Sequence, residues 1–207
     1  MTWSLDGIPN HLVDEVADTL TRSGNLTGAG SIRDALLDRH RGLAAADPTN
    51  TEWQSDLAIS LNKIGDVATA RGRLDDAAAA YEESREIRER LAAADPTNTE
   101  WQRDLSISLD KIGDVATAQG RLDDAAAAYE EGRGIRERLA DADPTNTQWQ
   151  RDLIISSVKL AEMGRAPQDN YTRALGIAET LQANGWLAPS DAWMIPELQR
   201  RLAELEE

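Results

Sequence analysis

The residues that could perform acid–base or metal chemistry are few in this sequence. It has no cysteine, and its only histidines are His11 and His40. Neither histidine has a cysteine or a second histidine at metal-ligand spacing, so we expect both to lie on the surface. Paired acids such as Asp75 and Asp76 recur along the chain, which favours helix-dipole matching and solubility over catalysis. The sequence therefore predicts no catalytic residue, no metal and no cofactor.

Charge and hydrophobicity narrow the class of protein. The net charge is -15 and the isoelectric point is near 4.5, so phosphate backbones and anionic membranes are repelled. No run of about 18 apolar residues could span a bilayer, and no secretion signal is recognisable. With 41% hydrophobic residues, the chain can bury a substantial core. We expect a cytoplasmic protein that binds neither nucleic acid nor membrane.

An internal repeat dominates the sequence. The segment 47–54 returns at 95–102 and again, with one change, at 143–150, which gives a 48-residue period. The blocks 47–94 and 95–142 differ at only seven positions. A fixed period of this length is the signature of a repeat architecture, in which each unit buries its apolar face against its neighbours.

Each block contains the pattern of two helices. A capping box that starts at Thr49 or Thr51 fits the beginning of helix A. Apolar residues at helical spacing then predict helix A over about 52–71, ended by Gly72 as a C-terminal glycine. A second apolar stripe, with aspartates in its first turn, predicts helix B over about 74–94. The repeating unit is therefore a helical hairpin.

A family resemblance rests on small and large apolar residues at fixed spacing within this hairpin. They are Leu61, Ile64, Gly65, Ala68, Gly72, Ala77 and Tyr81, and the series recurs one period later. The pattern resembles the tetratricopeptide repeat, in a long-helix variant whose period exceeds the usual length of about 34 residues. The resemblance implies an all-α fold: a right-handed solenoid of antiparallel helix pairs with a C-terminal capping helix.

The repeats divide the whole chain, and we expect 1–207 to form a single tetratricopeptide-like domain. The division is repeat one at 10–46, repeat two at 47–94, repeat three at 95–142, a shortened repeat four at 143–184 and a cap at 185–207. Repeat one is degenerate, with Arg33 in place of Tyr81. Helix B of repeat four is predicted over about 169–183, and Pro196 is expected to open the last helix. The apolar side of that helix would consist of Leu198, Leu202 and Leu205.

The resemblance also implies where a ligand would bind. In such arrays the A helices line a concave groove, and ligand-contacting positions lie on the helix A face turned away from helix B. Aligned through the repeat glycines, these positions are Asp14, Asp18, Asn62, Asp66, Thr69, Asp110, Asp114, Thr117, Val158 and Glu162. Asp110 and Asp114 lie one helical turn apart, so the repetition predicts a ladder of carboxylates. The flanking lysines are Lys63, Lys111 and Lys159.

These positions favour one function among several. Carboxylate-clamp members of the family use lysine and asparagine to hold a chain-terminal carboxylate, whereas aspartates stand at the asparagine position here. We therefore expect a non-enzymatic interaction scaffold whose acidic groove binds a basic or amphipathic peptide or helix. One alternative is a structural spacer that self-associates through its ends or outer faces, and another is that the aspartates are solvated and bind nothing. An enzyme would need buried carboxylates with perturbed protonation in a closed pocket.

Overall fold

The computed structural model describes residues 8–206, which fold into α-helices and, at Pro189–Asp191, one 3₁₀ turn. The helices are α1 (Asn10–Arg22), α2 (Leu26–Ala46), α3 (Thr51–Ala70), α4 (Leu74–Ala94), α5 (Thr99–Ala118), α6 (Leu122–Ala142), α7 (Thr147–Glu162), α8 (Pro167–Ala183) and α9 (Met194–Glu204). No strand occurs among these residues. The predicted all-α class is confirmed, and the predicted bounds of helices A and B in repeat two agree with α3 and α4 to within a residue.

The helices form two compact units, one up to Gln119 and the other from Gly120 onward. In unit 1, α1 packs with α2, α2 with α3, α3 with α4, and α4 with α5. In unit 2, α6 packs with α7, α7 with α8, and α8 with α9. Helices therefore pack in chain order within each unit, as expected of stacked hairpins. The single domain over 1–207, of which 1–7 and 207 lie outside the described residues, stays a prediction.

The A helices begin at an asparagine cap, which differs from the predicted threonine box. The Asn50 side-chain oxygen accepts a hydrogen bond from the Trp53 backbone N–H at 3.0 Å, and Asn98 and Asn146 repeat this contact at 3.1 Å. Thr49 is engaged elsewhere, because its N–H and hydroxyl both donate to the Asp47 carboxylate, at 3.0 and 2.6 Å. The prediction failed because asparagine caps a helix as well as threonine does.

The cap can be tested by comparing two neighbouring substitutions. We expect Asn98→Ala to lower the free energy of unfolding by about 1 kcal/mol, since a backbone N–H of α5 loses its acceptor. Thr99→Ala is the control and should change stability by less than about 0.5 kcal/mol, as is usual for exposed positions. Urea unfolding followed by circular dichroism measures both. Equal losses for the two variants would contradict the asparagine cap.

Glycine ends helix A as predicted. Gly72 has φ +71° and its N–H donates to the Thr69 carbonyl at 2.9 Å, while the Arg73 N–H donates back to the Ala68 carbonyl at 2.9 Å. A left-handed residue followed by such a back-bond is the Schellman arrangement, which glycine adopts without a Cβ penalty. It turns the chain sharply from α3 into α4.

The last hairpin is closed by α9, with three differences from the sequence prediction. α8 begins at Pro167, two residues before the predicted start. α9 begins at Met194, so Pro196 lies in its first turn and does not open it. Leu205 follows the helix and is 45% exposed. The cap itself is apolar, since α9 packs into a cluster with α7 and α8 through Met194, Ile195 and Leu198.

Candidate functional site

The predicted binding positions of unit 1 lie on the A helices α1, α3 and α5. We call this set the A-helix face; it comprises Asp14, Asp18, Asn62, Asp66, Thr69, Asp110, Asp114 and Thr117. Lysines join successive helices across it: the Lys63 Nζ lies 3.4 Å from an Asp18 oxygen, and the Lys111 Nζ lies 2.6 Å from an Asp66 oxygen. The three helices therefore present these side chains next to one another.

Side chains on the B helices also bind aspartates of the A-helix face. The Tyr81 hydroxyl on α4 donates to the Asp66 carboxylate at 2.8 Å. At the equivalent position of α2, the Arg33 guanidinium is 2% exposed and pairs with both Asp14 and Asp18. Buried charges require such partners, because desolvation of an unpaired guanidinium is costly. Arg33, which replaces the repeat tyrosine in repeat one, therefore holds Asp14 and Asp18 in the candidate site.

The contact between helix A and helix B depends on which helix A residue faces the helix B tyrosine or its replacement, Arg33. An ideal Cβ at Gly65 would lie only 2.7 Å from the Tyr81 Cδ1, so a glycine is needed for the ring to reach Asp66. In repeat one, one period earlier, the corresponding residue is Ala17, which is fully buried. The ring is absent there, because Arg33 replaces the tyrosine. The pairs Gly65–Tyr81 and Ala17–Arg33 are thus two solutions to the same packing position.

The A-helix face is electrostatically mixed. It carries five aspartates, of which Asp14, Asp18 and Asp66 pair with Lys63, Lys111 or the buried Arg33, so the aspartates of the face outnumber these three cations. Asp18 and Asp66 keep 46% and 41% of their side chains exposed, so they remain within reach of a ligand. Burial raises the pKa of the Tyr81 phenol above its ordinary value, and the Asp66 carboxylate adds to this shift.

The remaining positions of the face differ in their hydrogen bonding. The hydroxyls of Thr69 and Thr117 donate to backbone carbonyls four residues earlier, at 2.9 and 2.8 Å, so their donors are already used. The Asn62 side-chain oxygen is buried without a hydrogen-bond partner. On α5, Asp110 is half-buried and Asp114 is exposed. The face therefore offers acceptors to a ligand more readily than donors.

Repeat four has a different character within unit 2. Val158 and Glu162 on α7 line a cleft of about 710 Å³ between α7 and α9. Other lining residues are Ile155, Lys159, Tyr171, Trp193, Leu198, Arg200 and Arg201. Trp193 is 61% exposed, and the Arg201 guanidinium lies 3.9 Å from the Glu162 carboxylate. Arg200 and Arg201 lower the pKa of Glu197 to about 2. The cleft is therefore mainly apolar, with acidic and basic side chains at its border.

The lysine and B-helix partners were not predicted to bind the aspartates, although the sequence carries a signal for them. Lys63 follows Asp18 by 45 residues, and Lys111 follows Asp66 by the same interval. A separation of 15 likewise joins Asp18 to Arg33 and Asp66 to Tyr81. Intervals that recur between hydrogen-bonding partners in successive repeats indicate contact, because a repeat array keeps one geometry.

The expectation that both histidines lie on the surface is wrong for His40. His11 is exposed, whereas His40, which belongs to α2, is 4% exposed and contacts residues of α1 and α3. Its Nδ1 lies 2.6 Å from the Ser60 hydroxyl and its Nε2 lies 2.9 Å from the Asn10 amide nitrogen. Both ring nitrogens are therefore satisfied in the neutral form, and His40 is a structural residue of the helix interface.

The buried histidine predicts a stability change between neutral and mildly acidic pH. Burial lowers the pKa of His40 below its ordinary value of 6.5. Below that value the unfolded chain binds a proton that the folded chain resists, so the melting temperature should fall as the pH drops from 7.5 toward 5. His40→Gln should flatten this profile relative to wild type, while the exposed control His11→Gln should keep it. Identical profiles for the two variants would contradict the assignment.

Metal-binding clusters and membrane-spanning helices are both absent from the described part of the chain. Across residues 8–206, no group of three or more histidine, aspartate or glutamate side chains is placed to hold a metal ion. None of the helices in that range has the length and apolarity needed to cross a membrane.

Stacked helical hairpins with polar side chains on adjacent A helices define the class of helical-repeat proteins. Within that class, residues 56–138 match the family model of the tetratricopeptide repeat. The predicted resemblance to this family is thereby confirmed, whereas the 48-residue period as a long-helix variant stays a prediction. Such repeats generally mediate protein–protein interaction or scaffolding and are typically non-enzymatic.

Solved structures support the fold assignment. The crystal structure of BtubC (BKLC) from P. vanneervenii matches with a TM-score of 0.63 and 16% identity, over 94% of this chain and 80% of that chain. A putative kinesin light chain from Podosopora anserina, with nearly identical TPR-like repeats, matches with a TM-score of 0.58 and 15% identity, over 94% and 83%. At these identities the likeness concerns the fold alone. The curated proteins include no sequence match.

Proposed function

We propose that this protein is an interaction scaffold whose A-helix face binds a basic or amphipathic peptide or helix from another protein. One observation carries the proposal: Asp18 and Asp66 occupy the same position in successive repeats and are each held by a B-helix side chain and by the next A-helix lysine. A side chain fixed from two directions loses little conformational entropy when it binds a ligand. The face is thus preorganised.

The chemistry of the face selects the partner. Aspartates outnumber the cations, and the threonine hydroxyls already donate to the backbone. A ligand that supplies ammonium, guanidinium or amide donors is therefore complementary, whereas an acidic segment meets net repulsion. Lysine or arginine on the ligand would compete with Lys63 and Lys111 for the same carboxylates. Exchange of one ion pair for another keeps each contact modest, so affinity accumulates over repeats.

In repeat four, Val158 and Glu162 serve a different purpose in this proposal. Their cleft of about 710 Å³ accepts an apolar side chain beside Trp193, and the polar groups at its border orient it. An amphipathic segment supplies apolar side chains of this kind, and a purely basic one does not.

The proposal is tested with two labelled amphipathic probe peptides that share a leucine stripe and carry either lysine or glutamate on the polar face. Fluorescence anisotropy at low and moderate salt should show binding of the lysine probe, weakened by salt, and weaker binding of the glutamate probe. The double substitution Asp66→Asn and Asp114→Asn should weaken binding of the lysine probe about tenfold, which equals about 1.4 kcal/mol. Asparagine keeps the acceptor oxygen that Tyr81 needs.

A matched control removes the same charge from elsewhere. The control is the double substitution Asp76→Asn and Asp124→Asn. These two aspartates lie in the first turns of α4 and α6, where their side chains are 62% and 63% exposed. This control should bind the lysine probe nearly as well as wild type. Equal weakening by the two double variants would show that only the overall negative charge matters, and the A-helix face would lose its role.

A further inference from the structure

His40 occupies a position that an arginine occupies in the next repeat. Arg88 stands 48 residues after His40, and Asp104 stands 48 residues after Asp56. Between repeats two and three, the buried Arg88 guanidinium pairs with the Asp104 carboxylate, and an arginine keeps its charge at every physiological pH. Between repeats one and two, the same position holds a side chain whose charge changes between pH 5 and 8. The first junction therefore carries a titratable group where the next junction carries a permanent charge.

The His40 ring joins three helices through its two nitrogens. The Asn10 amide nitrogen, on α1, lies 2.9 Å from Nε2, and the Ser60 hydroxyl, on α3, lies 2.6 Å from Nδ1. An amide nitrogen can only donate, so Nε2 is the acceptor, and the neutral ring carries its proton on Nδ1. Rotation of the amide would turn its buried, unpartnered oxygen toward Nε2, but it would leave the amide nitrogen without an acceptor. A second proton, on Nε2, therefore takes away the acceptor that holds α1.

The surroundings of the ring oppose a positive charge. His40 is 4% exposed, and burial has the largest effect on its pKa, which it lowers. Asp56 on α3 and Asp14 on α1 face the ring and favour the imidazolium, but Asp14 is already paired with Arg33. Arg39, on the same helix as His40, opposes the charge. The net effect keeps the ring neutral at pH values where a histidine of the unfolded chain is protonated.

We propose that protonation of His40 in mild acid releases α1 from α2 and α3 and thereby withdraws Asp14 and Asp18 from the A-helix face. Among the described helices, only α2 packs against α1 over several residues, and helices at the edge of a packed unit open at a lower free-energy cost than central ones. Asp14 and Asp18 both lie on α1, so they move when α1 does. The release of α1 stands on the geometry of His40, whereas its effect on a ligand rests on the proposed peptide binding.

Hydrogen exchange of the full chain at about pH 7.5 and 5.5, followed by mass spectrometry and corrected for the intrinsic exchange rates, tests the release. Relative to α5, the protection of α1 should fall by up to about tenfold, since that is the cost of excluding one proton about one pH unit below 6.5. The fall should begin near pH 6.5 and level off below the lowered pKa of the folded chain. His40→Gln cannot titrate and should show no such fall, whereas the exposed control His11→Gln should show it in full.

Asn10→Asp is a second variant, which leaves the ring in place. It sets a carboxylate beside Nε2 and stabilises the imidazolium, so the fall in α1 protection should shrink or reverse. Equal changes in the protection of α1 and α5 would overturn the proposal. So would the same pH dependence of α1 in wild type as in His40→Gln or Asn10→Asp.

The effect on the A-helix face is measured with the lysine probe. Between about pH 7.5 and 5.5, wild type should lose at least about twofold more affinity for the probe than His40→Gln loses. Equal losses in the two proteins would overturn the withdrawal of Asp14 and Asp18. Absence of probe binding at neutral pH would count against the proposed function alone, because hydrogen exchange still decides whether α1 is released.

Discussion

Gly65→Ala is expected to lower the free energy of unfolding by about 2 kcal/mol, although alanine is favoured over glycine in a helix by about 1 kcal/mol. The added Cβ would lie 2.7 Å from the Cδ1 of the Tyr81 ring, which is 2% exposed and packed within a cluster of buried side chains. Overpacking of this kind costs about 1–3 kcal/mol, and displacement of the ring also breaks the hydrogen bond to Asp66. Thermal or urea unfolding measures the loss.

The sign of the effect should reverse when the ring is removed. In a Tyr81→Ala background, Gly65→Ala should stabilise by up to about 1 kcal/mol, because only the helix propensity of alanine remains. This double-mutant cycle separates the steric clash from a general intolerance of the position. A loss of about 2 kcal/mol in both backgrounds would show that the ring is not the cause.

Asp104→Ala is expected to cost about 2–3 kcal/mol, less than the loss of one partner from a fully buried pair, which is about 3–5 kcal/mol. Asp104 on α5 pairs with the Arg88 guanidinium on α4, and their side chains are 25% and 7% exposed. Removal of the carboxylate leaves the guanidinium charge without compensation, and the partial exposure of Asp104 moderates the loss. Chemical unfolding checks the value.

A double substitution shows whether the loss of stability in Asp104→Ala comes from an unpaired buried charge or from lost packing. Arg88→Met with Asp104→Leu should recover most of the stability, since apolar residues of similar size replace buried pairs at little cost. Asp76→Ala, which removes the partner of exposed Arg73, should cost no more than about 0.5 kcal/mol. If Asp104→Ala costs as little as Asp76→Ala, the buried pair contributes nothing to the junction between the repeats.

The fold was largely predictable because its determinants are local. The 48-residue period, the glycine at position 72 and the apolar stripes predict α3 and α4 to within a residue. The helix cap was mistaken because three neighbouring residues, Thr49, Asn50 and Thr51, can all accept the hydrogen bond of a helix start. Only the backbone geometry selects among them, and that geometry depends on the turn in which Asp47 binds Thr49.

Burial between repeats was less predictable. His40 occupies the helix B position that Arg88 and Arg136 occupy in the next repeats, and all three are buried. Polar residue types suggest a surface, whereas the register places them at the junction with the following A helix. The alignment of the repeats contained this information, but periodicity within a single helix did not reveal it.

For the candidate site, the sequence predicted the positions and not their partners. Asp18 and Asp66 were identified by the family register, but their pairing with Lys63 and Lys111 depends on which faces of successive A helices meet. Long-range packing decides that. The cleft at Val158 was unpredictable for a similar reason, since it forms only when α9 folds back beside α7.

The most direct test of the proposed function is carbodiimide cross-linking of the lysine probe peptide to the protein, followed by mass spectrometry of the joined carboxylates. This reagent joins an amine to a carboxylate that it contacts, so it reports which acids the ligand meets. We predict cross-links concentrated at the aspartates of the A-helix face, above all Asp18 and Asp66, whose side chains carry the proposal. Cross-links concentrated on the exposed acids of the B helices, such as Asp75 and Asp123, or spread evenly over the surface, would contradict the proposal.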